Sequence, residues 1–359
     1  MRPLRLLVPS GVALILTLLV AAPAFACGGL VNPNGTVTLV RTTTLAAYHE
    51  GIEHYITSFE FAGGTGEFGS IIPLPGVPTD VIRGGEWTLQ RLVLETQPQV
   101  RGALLAVPAA AEAARVILRT KIDALDVVVL EGGAVGVGNW AREHGFLLPP
   151  DAPEMLDFYA RRSPVFMTVR FDARRAAEQG LAVGEGTPVH VVIPTPNPWV
   201  PLRILGLGAP AEAPVQADVY LLTDDEPALL PTPVDEGAAG RLDGDVRPGL
   251  VLDRSEPASG SLLADLRSDK GMDWMPRSGM WLTYLRVDAA AGDLTYDLAV
   301  DASGAGQPSP RAAGLPPEAA VTTGPSDRLM PALWASVLLV GLLVIAAVRE
   351  RRRAGGLAG

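Results

Sequence analysis

The chain has 359 residues, of which 48% are hydrophobic and 19% charged, so it can bury a substantial core and is not an intrinsically disordered polymer. Its 29 Lys and Arg residues against 39 Asp and Glu give a formal net charge of -10, which argues against a nucleic-acid-binding protein because phosphate contacts need a basic face. The single cysteine excludes an intramolecular disulfide, a zinc ribbon and a cysteine-ligated iron–sulfur cluster.

Residues 1–26 have the features of a secretory signal peptide. Two arginines precede an apolar run, Leu6–Ala22, and the small-x-small pattern Ala24-Phe25-Ala26 of a signal-peptidase site follows it. We therefore expect export of the chain and removal of these 26 residues.

Cleavage after Ala26 leaves Cys27 at the new N-terminus, which is where a bacterial lipoprotein carries its lipid anchor. A lipobox normally has leucine three positions before the cysteine and a small residue two positions before it. This chain has Ala24 and Phe25 at those positions. The sequence therefore favours an ordinary exported protein, with lipidation of Cys27 as the alternative.

Residues 36–61 predict a β-hairpin. Thr36–Val40 and Thr42–Leu45 are rich in strand-forming residues, and Ile52–Phe61 alternates with aromatic residues on one side. Glu50-Gly51 between them is typical of a two-residue hairpin turn. In that register His49 lies opposite Ile52 and Ala47 opposite His54.

The rest of the region up to residue 300 predicts more strands than helices. Further strands are expected at Gly69–Leu74, Leu125–Leu130, Val165–Phe171, Val189–Ile193, Ala217–Leu222, Met280–Val287 and Leu294–Val300, the last two as a hairpin. Helices are expected at Ala109–Lys121, Asp151–Arg162 and Asp172–Gln179. Because the helices do not alternate with the strands, we predict a mainly antiparallel α+β domain over residues 27–300, with two β lobes as an alternative arrangement.

The C-terminal part predicts a stalk and a membrane anchor. Residues 301–328 contain five prolines among small residues and lack apolar periodicity. Leu329–Val348 is a run of 20 residues without a charge, which makes a helix of about 30 Å, the thickness of a bilayer core. Residues 349–359 contain four arginines, and positive residues stay on the cytoplasmic side. We therefore expect a single-pass membrane protein with residues 27–328 outside.

The predicted exterior part is more acidic than the whole chain. Removal of the leader and the tail takes away six arginines and one glutamate, which leaves a formal charge of -15. Such a surface attracts cations or basic partners, although solubility is the commoner explanation.

Four stretches together resemble a family of bacterial proteins called domain of unknown function 2330. They are Ala26-Cys27-Gly28-Gly29, the segment from Phe59 to Pro78, the segment from Trp87 to Leu92, and the segment from Thr187 to Gly208. The resemblance covers roughly residues 27–300. It implies an exported protein, often with one C-terminal span, and it assigns no activity, ligand or catalytic residue.

His49 and His54 are the candidate metal ligands of the hairpin. The zinc-protease pattern His-Glu-x-x-His places its histidines four residues apart on a helix, whereas these are five apart and the segment predicts a hairpin. The hairpin register places both imidazoles on one sheet face as diagonal neighbours, about 7 Å apart at Cβ. We expect two histidines on a half-exposed face, with metal binding as the alternative.

Two glycine-rich stretches are expected to be turns. Gly64–Gly69 matches the dinucleotide fingerprint G-x-G-x-x-G and follows a strand, but the extended segment Ser70–Pro73 follows it in place of a helix. We interpret Gly132–Gly138 in the same way. No cofactor is therefore expected.

Asp243-Gly244-Asp245 is a fragment of a calcium-binding loop. It lies in an acidic stretch, Asp218–Glu256, but the later ligands of an EF-hand are missing. Asp243 and Asp245 are thus candidates for weak calcium binding, and a solvated acidic loop is the simpler interpretation.

The sequence contains no recognisable catalytic set. There is no G-x-S-x-G elbow, Cys27 lies at a terminus, and His144 and His190 cannot be paired with a serine from the sequence. Four tryptophans could line a carbohydrate or peptide groove, although tryptophans in strands are more often core: Trp87, Trp199, Trp274 and Trp281.

These observations predict a membrane-tethered extracytoplasmic domain that binds or scaffolds a ligand or partner in the bacterial cell envelope without catalysing a reaction. The bilayer is its expected partner at the C-terminal helix. The alternatives are an envelope hydrolase whose site forms only in the folded protein, and a weak calcium-binding protein.

Overall fold

The computed structural model describes residues 29–31, 38–62, 69–85, 87–96, 115–146, 148–179, 187–235, 246–303 and 306–315. The predicted signal peptide, Cys27, the predicted span Leu329–Val348 and the basic tail lie outside these residues. Within the described part, none of the helices has both the length and the apolar character needed to cross a bilayer.

Strands predominate over helices in the described residues. The strands are β1 (Gly29–Val31), β2 (Thr38–His49), β3 (Ile52–Ala62), β4 (Gly69–Pro73), β5 (Asp80–Arg83), β6 (Arg115–Ile122), β7 (Leu125–Glu131), β8 (Val165–Phe171), β9 (Val189–Pro194), β10 (Trp199–Val200), β11 (Pro214–Thr223), β12 (Ala228–Leu230), β13 (Thr232–Asp235), β14 (Val246–Pro257), β15 (Trp281–Ala290) and β16 (Leu298–Asp301). The helices are α1 (Thr88–Thr96), α2 (Ala134–Glu143), α3 (Ala152–Ala160), α4 (Ala173–Gln179) and α5 (Gly260–Ser268).

The strands form three sheets within the described residues. The largest has the order β13-β14-β15-β11-β2-β3-β9-β5, the second has the order β1-β4-β8-β7-β6, and the third has the order β10-β16-β12. Strand β11 pairs with β2 in parallel, as does β13 with β14, and the other recorded pairs are antiparallel. The predicted class, mainly antiparallel α+β with a few short helices, is confirmed at this level.

The β2–β3 hairpin has the predicted turn and register. His49 pairs with Ile52 and Ala47 with His54. The backbone φ angles of Glu50 and Gly51 are 50° and 82°, as a type I′ turn requires at both central positions.

One face of the eight-stranded sheet is covered by α1, α5 and the segment 269–275. We call this the helix face. Its core consists of side chains that alternate along the central strands, because residues two apart in a strand share a face. The buried members are Leu45, Ala47, Ile56, Leu89, Leu92, Tyr220, Leu222, Leu262, Leu263, Leu266, Met272, Met275, Met280, Leu282 and Tyr284.

The structure corrects the predicted helix Ala109–Lys121 over its described part. Arg115–Ile122 is strand β6, which pairs with β7 in a hairpin, and residues 109–114 lie outside the described residues. The segment contains four β-branched residues, and pairing along β7 outweighs the helix propensity of the alanines before it.

The predicted hairpin of Met280–Val287 with Leu294–Val300 is also wrong. Strand β15 lies in the eight-stranded sheet, whereas β16 pairs with β10 and β12 in the three-stranded sheet. A short 3-10 helix, Ala291–Asp293, separates them, so the chain leaves one sheet before it enters the next.

Sequence analysis also missed three helices, α1, α2 and α5. The clearest case is Gly132–Gly138, which we interpreted as a turn but which contains the start of α2 at Ala134. The helix forms in spite of its glycines because Val137, Trp140 and Ala141 are buried along one side of it.

Part of the predicted stalk belongs to the folded domain. Asp301 ends β16, and Ala313 is fully buried. The Asp297 backbone N–H donates to the Ala313 carbonyl at 3.0 Å, and the Arg311 guanidinium donates to the Arg161 carbonyl at 3.1 Å. The chain is therefore packed as far as residue 314, and residues 316–328 of the predicted stalk lie outside the described residues.

Candidate functional site

A small polar cleft lies where the loop after β9 meets the segment after β16. It has a volume of about 190 Å³. Its walls are Tyr48, Pro196, Asn197, Pro198, Val300, Asp301, Ala302, Ser303, Gln307, Pro308, Ser309 and Ala312. Because sites for drug-sized ligands occupy about 300–1,000 Å³, this cleft can admit one side chain or a small polar molecule.

Hydrogen bonds fix two parts of the cleft lining. The Tyr48 hydroxyl donates to the Thr195 carbonyl at 2.9 Å. Elsewhere in the lining, the Asp301 carboxylate accepts from the Ser303 and Gln307 backbone N–H groups, both at 3.0 Å, and from the Ser303 hydroxyl at 2.5 Å. The Ser303 hydroxyl and these N–H groups lower the pKa of Asp301, so this part of the lining carries a negative charge at neutral pH.

Glu53, next to Tyr48 across the hairpin, is a buried carboxyl group. Its side chain is fully buried, and among the described residues neither oxygen accepts a hydrogen bond of ordinary geometry. Burial raises the pKa of Glu53 to about 8, and the nearby Trp199 backbone amide lowers it only in part. Glu53 is therefore mostly protonated at neutral pH.

His54 and His190 form a buried imidazole pair on the helix face. His54 Nδ1 lies 3.0 Å from His190 Nε2, and the two residues are 7% and 1% exposed. The His54 ring stacks on the half-buried Trp274 indole, with ring centres 3.6 Å apart and planes 7° apart. Burial lowers the pKa of His54 to about 3 and that of His190 to about 4, so both imidazoles are neutral at physiological pH.

Asp269 holds the segment that covers this pair. Its carboxylate accepts from the backbone N–H and the hydroxyl of Thr88, at 2.8 and 2.7 Å, and from the Trp87 N–H at 3.2 Å. These groups lie at the start of α1, so Asp269 caps that helix. Segment 269–275, which carries Trp274, is thereby fixed against α1.

A second buried carboxylate, Asp297, ties helix α3 to the chain after β10. It accepts from the Tyr159 hydroxyl at 2.7 Å, from the Leu202 N–H at 2.7 Å and from the Arg203 N–H at 2.9 Å. It also forms a buried ion pair with Arg162. Since Asp297 is fully buried with its partners in place, we interpret this cluster as structural.

The structure separates the two predicted metal candidates of the hairpin. His49 Nδ1 lies 2.6 Å from the Asp224 carboxylate near the surface, while His54 contacts His190 in the interior. Among the described residues there is no group of three or more His, Cys, Asp and Glu side chains that could hold a metal ion. Asp243 and Asp245 lie outside the described residues.

The four candidate tryptophans occupy different settings. Trp199 is buried and stacks with Tyr159 and Arg162, and Trp281 donates from Nε1 to the Ser255 hydroxyl at 2.8 Å. Trp87 precedes α1, and Trp274 covers His54. Trp199, Trp274 and Trp281 thus have different contacts, and a groove lined by all four remains a prediction.

Of the two other histidines, only His190 joins a candidate site. His144 is buried and stacks on Trp140, with ring centres 3.9 Å apart. The stretch Gly64–Phe68, which we predict to be a turn, lies outside the described residues, and Gly69 begins strand β4.

Sequence analysis missed Glu53, His190 and Asp297 as interior ionisable groups. The alternation of β3 could have indicated that Glu53 and His54 face opposite sides of the sheet. No local signal indicates that both sides of β3 are covered at this point.

The described residues form a mostly antiparallel α+β domain with a small polar cleft. The family model described as an uncharacterized protein conserved in bacteria, DUF2330, matches residues 20–228, more than half of the chain. The chain therefore belongs to this bacterial family, as the sequence resemblance predicted. No curated protein matches the chain.

Solved structures that resemble the chain include those of the baculovirus protein P35. A chain of the caspase-8/P35 complex covers 76% of this chain and 98% of its own length, at 9% identity and a TM-score of 0.35. A mutated baculovirus P35 after caspase cleavage covers 73% and 99%, at 7% identity and a TM-score of 0.37. Likeness at this level carries no argument on function.

Proposed function

We propose that this chain is a membrane-tethered extracytoplasmic binding domain of the bacterial cell envelope. The tether rests on the sequence, in which a leader precedes the folded domain and an apolar run followed by arginines comes after it. The binding function rests on one structural observation, the polar cleft between Tyr48 and the segment 301–312.

The shape and chemistry of the cleft favour a small polar group or a single peptide side chain as ligand. Its volume of about 190 Å³ is close to that of one large side chain. Asn197, Ser303 and Gln307 offer hydrogen-bonding groups, and three prolines add stiff apolar surface to the lining. The negative charge of Asp301 favours a ligand that carries a positive charge.

Site-specific photo-cross-linking on intact cells tests the binding function. A photoreactive phenylalanine at Gln307, an exposed cleft residue, should capture one defined molecule, whereas the same group at Val135, which is 74% exposed and outside the cleft, should not. A Gln307→Trp substitution adds an indole at the cleft. It should weaken binding of the captured molecule, because the indole takes up part of the space that the molecule needs. Equal capture at both positions would argue against a specific site in the cleft.

Protease treatment of intact cells tests the topology. We expect added protease to digest the folded domain while a cytoplasmic control protein stays intact. Protection of the domain until the cells are lysed would contradict an extracytoplasmic location.

A further inference from the structure

His54 and His190 offer two imidazole nitrogens to one point in the interior. His54 Nδ1 and His190 Nε2 are 3.0 Å apart, and the residues come from neighbouring strands β3 and β9. Metal–imidazole bonds are about 2.0 Å long, so two nitrogens on opposite sides of a two-coordinate ion lie about 4 Å apart. Binding therefore requires the two rings to move apart by about 1 Å.

The segment 269–275 covers the pair, and the Asp80 carboxylate on the neighbouring strand acts electrostatically on His190. Trp274 stacks on His54, and a β-carbon at Gly271 would lie 3.4 Å from His190 Nδ1, so segment 269–275 lies directly over both rings. Neutral imidazole nitrogens are ligands that copper accepts, and Cu(I) brings only a single positive charge.

We propose that His54 and His190 bind a Cu(I) ion beneath Trp274. A monovalent ion suits this place because burying one positive charge among neutral ligands costs less free energy than burying two. This inference does not depend on the proposed ligand cleft, which lies at a different set of residues.

The proton balance of the binding step is simple. Without metal, each neutral ring carries one N–H, and one of the two facing nitrogens donates a hydrogen bond to the other. When the ion binds, the donor ring moves its proton to its other nitrogen, so that Nδ1 of His54 and Nε2 of His190 both present lone pairs. Binding therefore releases no net proton as long as both rings are neutral.

A competition titration tests the site. The full-length chain in detergent, with Cys27→Ser so that no thiol competes, is titrated anaerobically against the coloured Cu(I) complex of bathocuproine disulfonate. We expect the chain to take up one Cu(I) ion. His54→Gln and His190→Gln should each weaken this binding at least about 100-fold, because each removes one of two ligands.

The other two histidines provide matched controls. His49→Gln, on the same hairpin, and His144→Gln, at a buried histidine elsewhere, should leave Cu(I) affinity unchanged. The proposal is overturned if all Cu(I) stays on the chelator, or if the folded His54→Gln and His190→Gln chains bind it as tightly as the parent chain. Binding of Zn(II) with Cu(I) left on the chelator would overturn the assignment of the ion.

Trp274 gives a second measurement that does not need the histidine variants to fold. Cu(I) held by His54 lies against the Trp274 indole and should quench its fluorescence. Trp274→Phe should remove that quenching and keep Cu(I) bound. Cu(I) binding without any change in Trp274 emission would place the ion elsewhere and overturn the proposal.

Discussion

Glu53 and His54 are consecutive residues of β3 whose side chains lie on opposite faces of the eight-stranded sheet, and both are buried. Burial raises the pKa of the Glu53 carboxyl to about 8 and lowers the pKa of the His54 imidazole to about 3. The same physical cause thus leaves both groups mostly uncharged at neutral pH. Stability should depend on pH through both residues, in opposite directions.

Replacement of Glu53 by Gln should stabilise the protein at neutral and alkaline pH. The folded pKa of about 8 lies above the ordinary value of 4.5, so the folded state binds more protons than the unfolded state between these values, and stability falls as pH rises. At pH 7, keeping the Glu53 carboxyl protonated costs the folded protein on the order of 3 kcal/mol. The glutamine removes this cost, but its buried amide lacks hydrogen-bond partners of ordinary geometry among the described residues, which makes the net gain in stability smaller. Urea unfolding at pH 4.5 and pH 8 measures the effect. Glu226→Gln, at an exposed residue, is the control and should keep the pH dependence of the parent chain. If Glu53→Gln also keeps the parent pH dependence, the prediction is wrong.

The imidazole pair should make the protein unstable in acid. Both folded pKa values, about 3 for His54 and about 4 for His190, lie below the ordinary value of 6.5. The unfolded chain therefore binds more protons in this window, and the stabilising effect present above pH 6.5 is lost as pH falls towards 3. Urea midpoints between pH 4 and 7 should show a shallower slope for the double variant His54→Gln/His190→Gln. His49→Gln should keep the parent slope.

Removal of the Arg162 guanidinium should cost about 3–5 kcal/mol of unfolding free energy, because it leaves the buried Asp297 carboxylate without its counter-charge. Arg162→Met keeps most of the side-chain volume and serves as the test variant. The neighbouring Arg161→Met breaks only an exposed ion pair with Asp157 and should cost less than about 1 kcal/mol. Similar urea midpoints for the two variants would show that the buried pair does not stabilise the fold.

Loss of the Asp269 cap should destabilise α1 and the segment over the imidazole pair. Asp269→Ala removes acceptors from the Trp87 and Thr88 N–H groups and should cost about 2 kcal/mol. Faster amide hydrogen exchange at both residues would locate the effect. The control is Asp265→Ala, which removes a half-exposed carboxylate of α5 that pairs with Arg91. It should change stability by less than about 1 kcal/mol. Unchanged exchange at Trp87 and Thr88 in Asp269→Ala would contradict the capping role.

Sequence patterns predicted those parts of the fold that depend on neighbouring residues. The β2–β3 hairpin follows from Glu50-Gly51 and the strands on both sides of it, which together fix the turn type and the register. Helix α3 follows from Pro153 and Glu154 in its first turn. Such signals operate within a few residues and need no knowledge of the tertiary structure.

Contacts between distant segments could not be predicted in this way. His54 and His190 are 136 residues apart in the chain and meet because β9 pairs with β3. Strand β6 was mistaken for helix because its partner β7 provides the stabilisation that local propensity does not. The burial of Glu53 depends likewise on which elements cover each face of the sheet.

The packing of residues 306–315 has a mechanical consequence. Tension applied to the chain from its C-terminal side reaches this segment before it reaches any strand. The segment is held by the Asp297–Ala313 hydrogen bond, and a β-carbon at Gly314 would collide with Arg162 and Phe158. These contacts must therefore break before tension can pull the segment away from the folded domain.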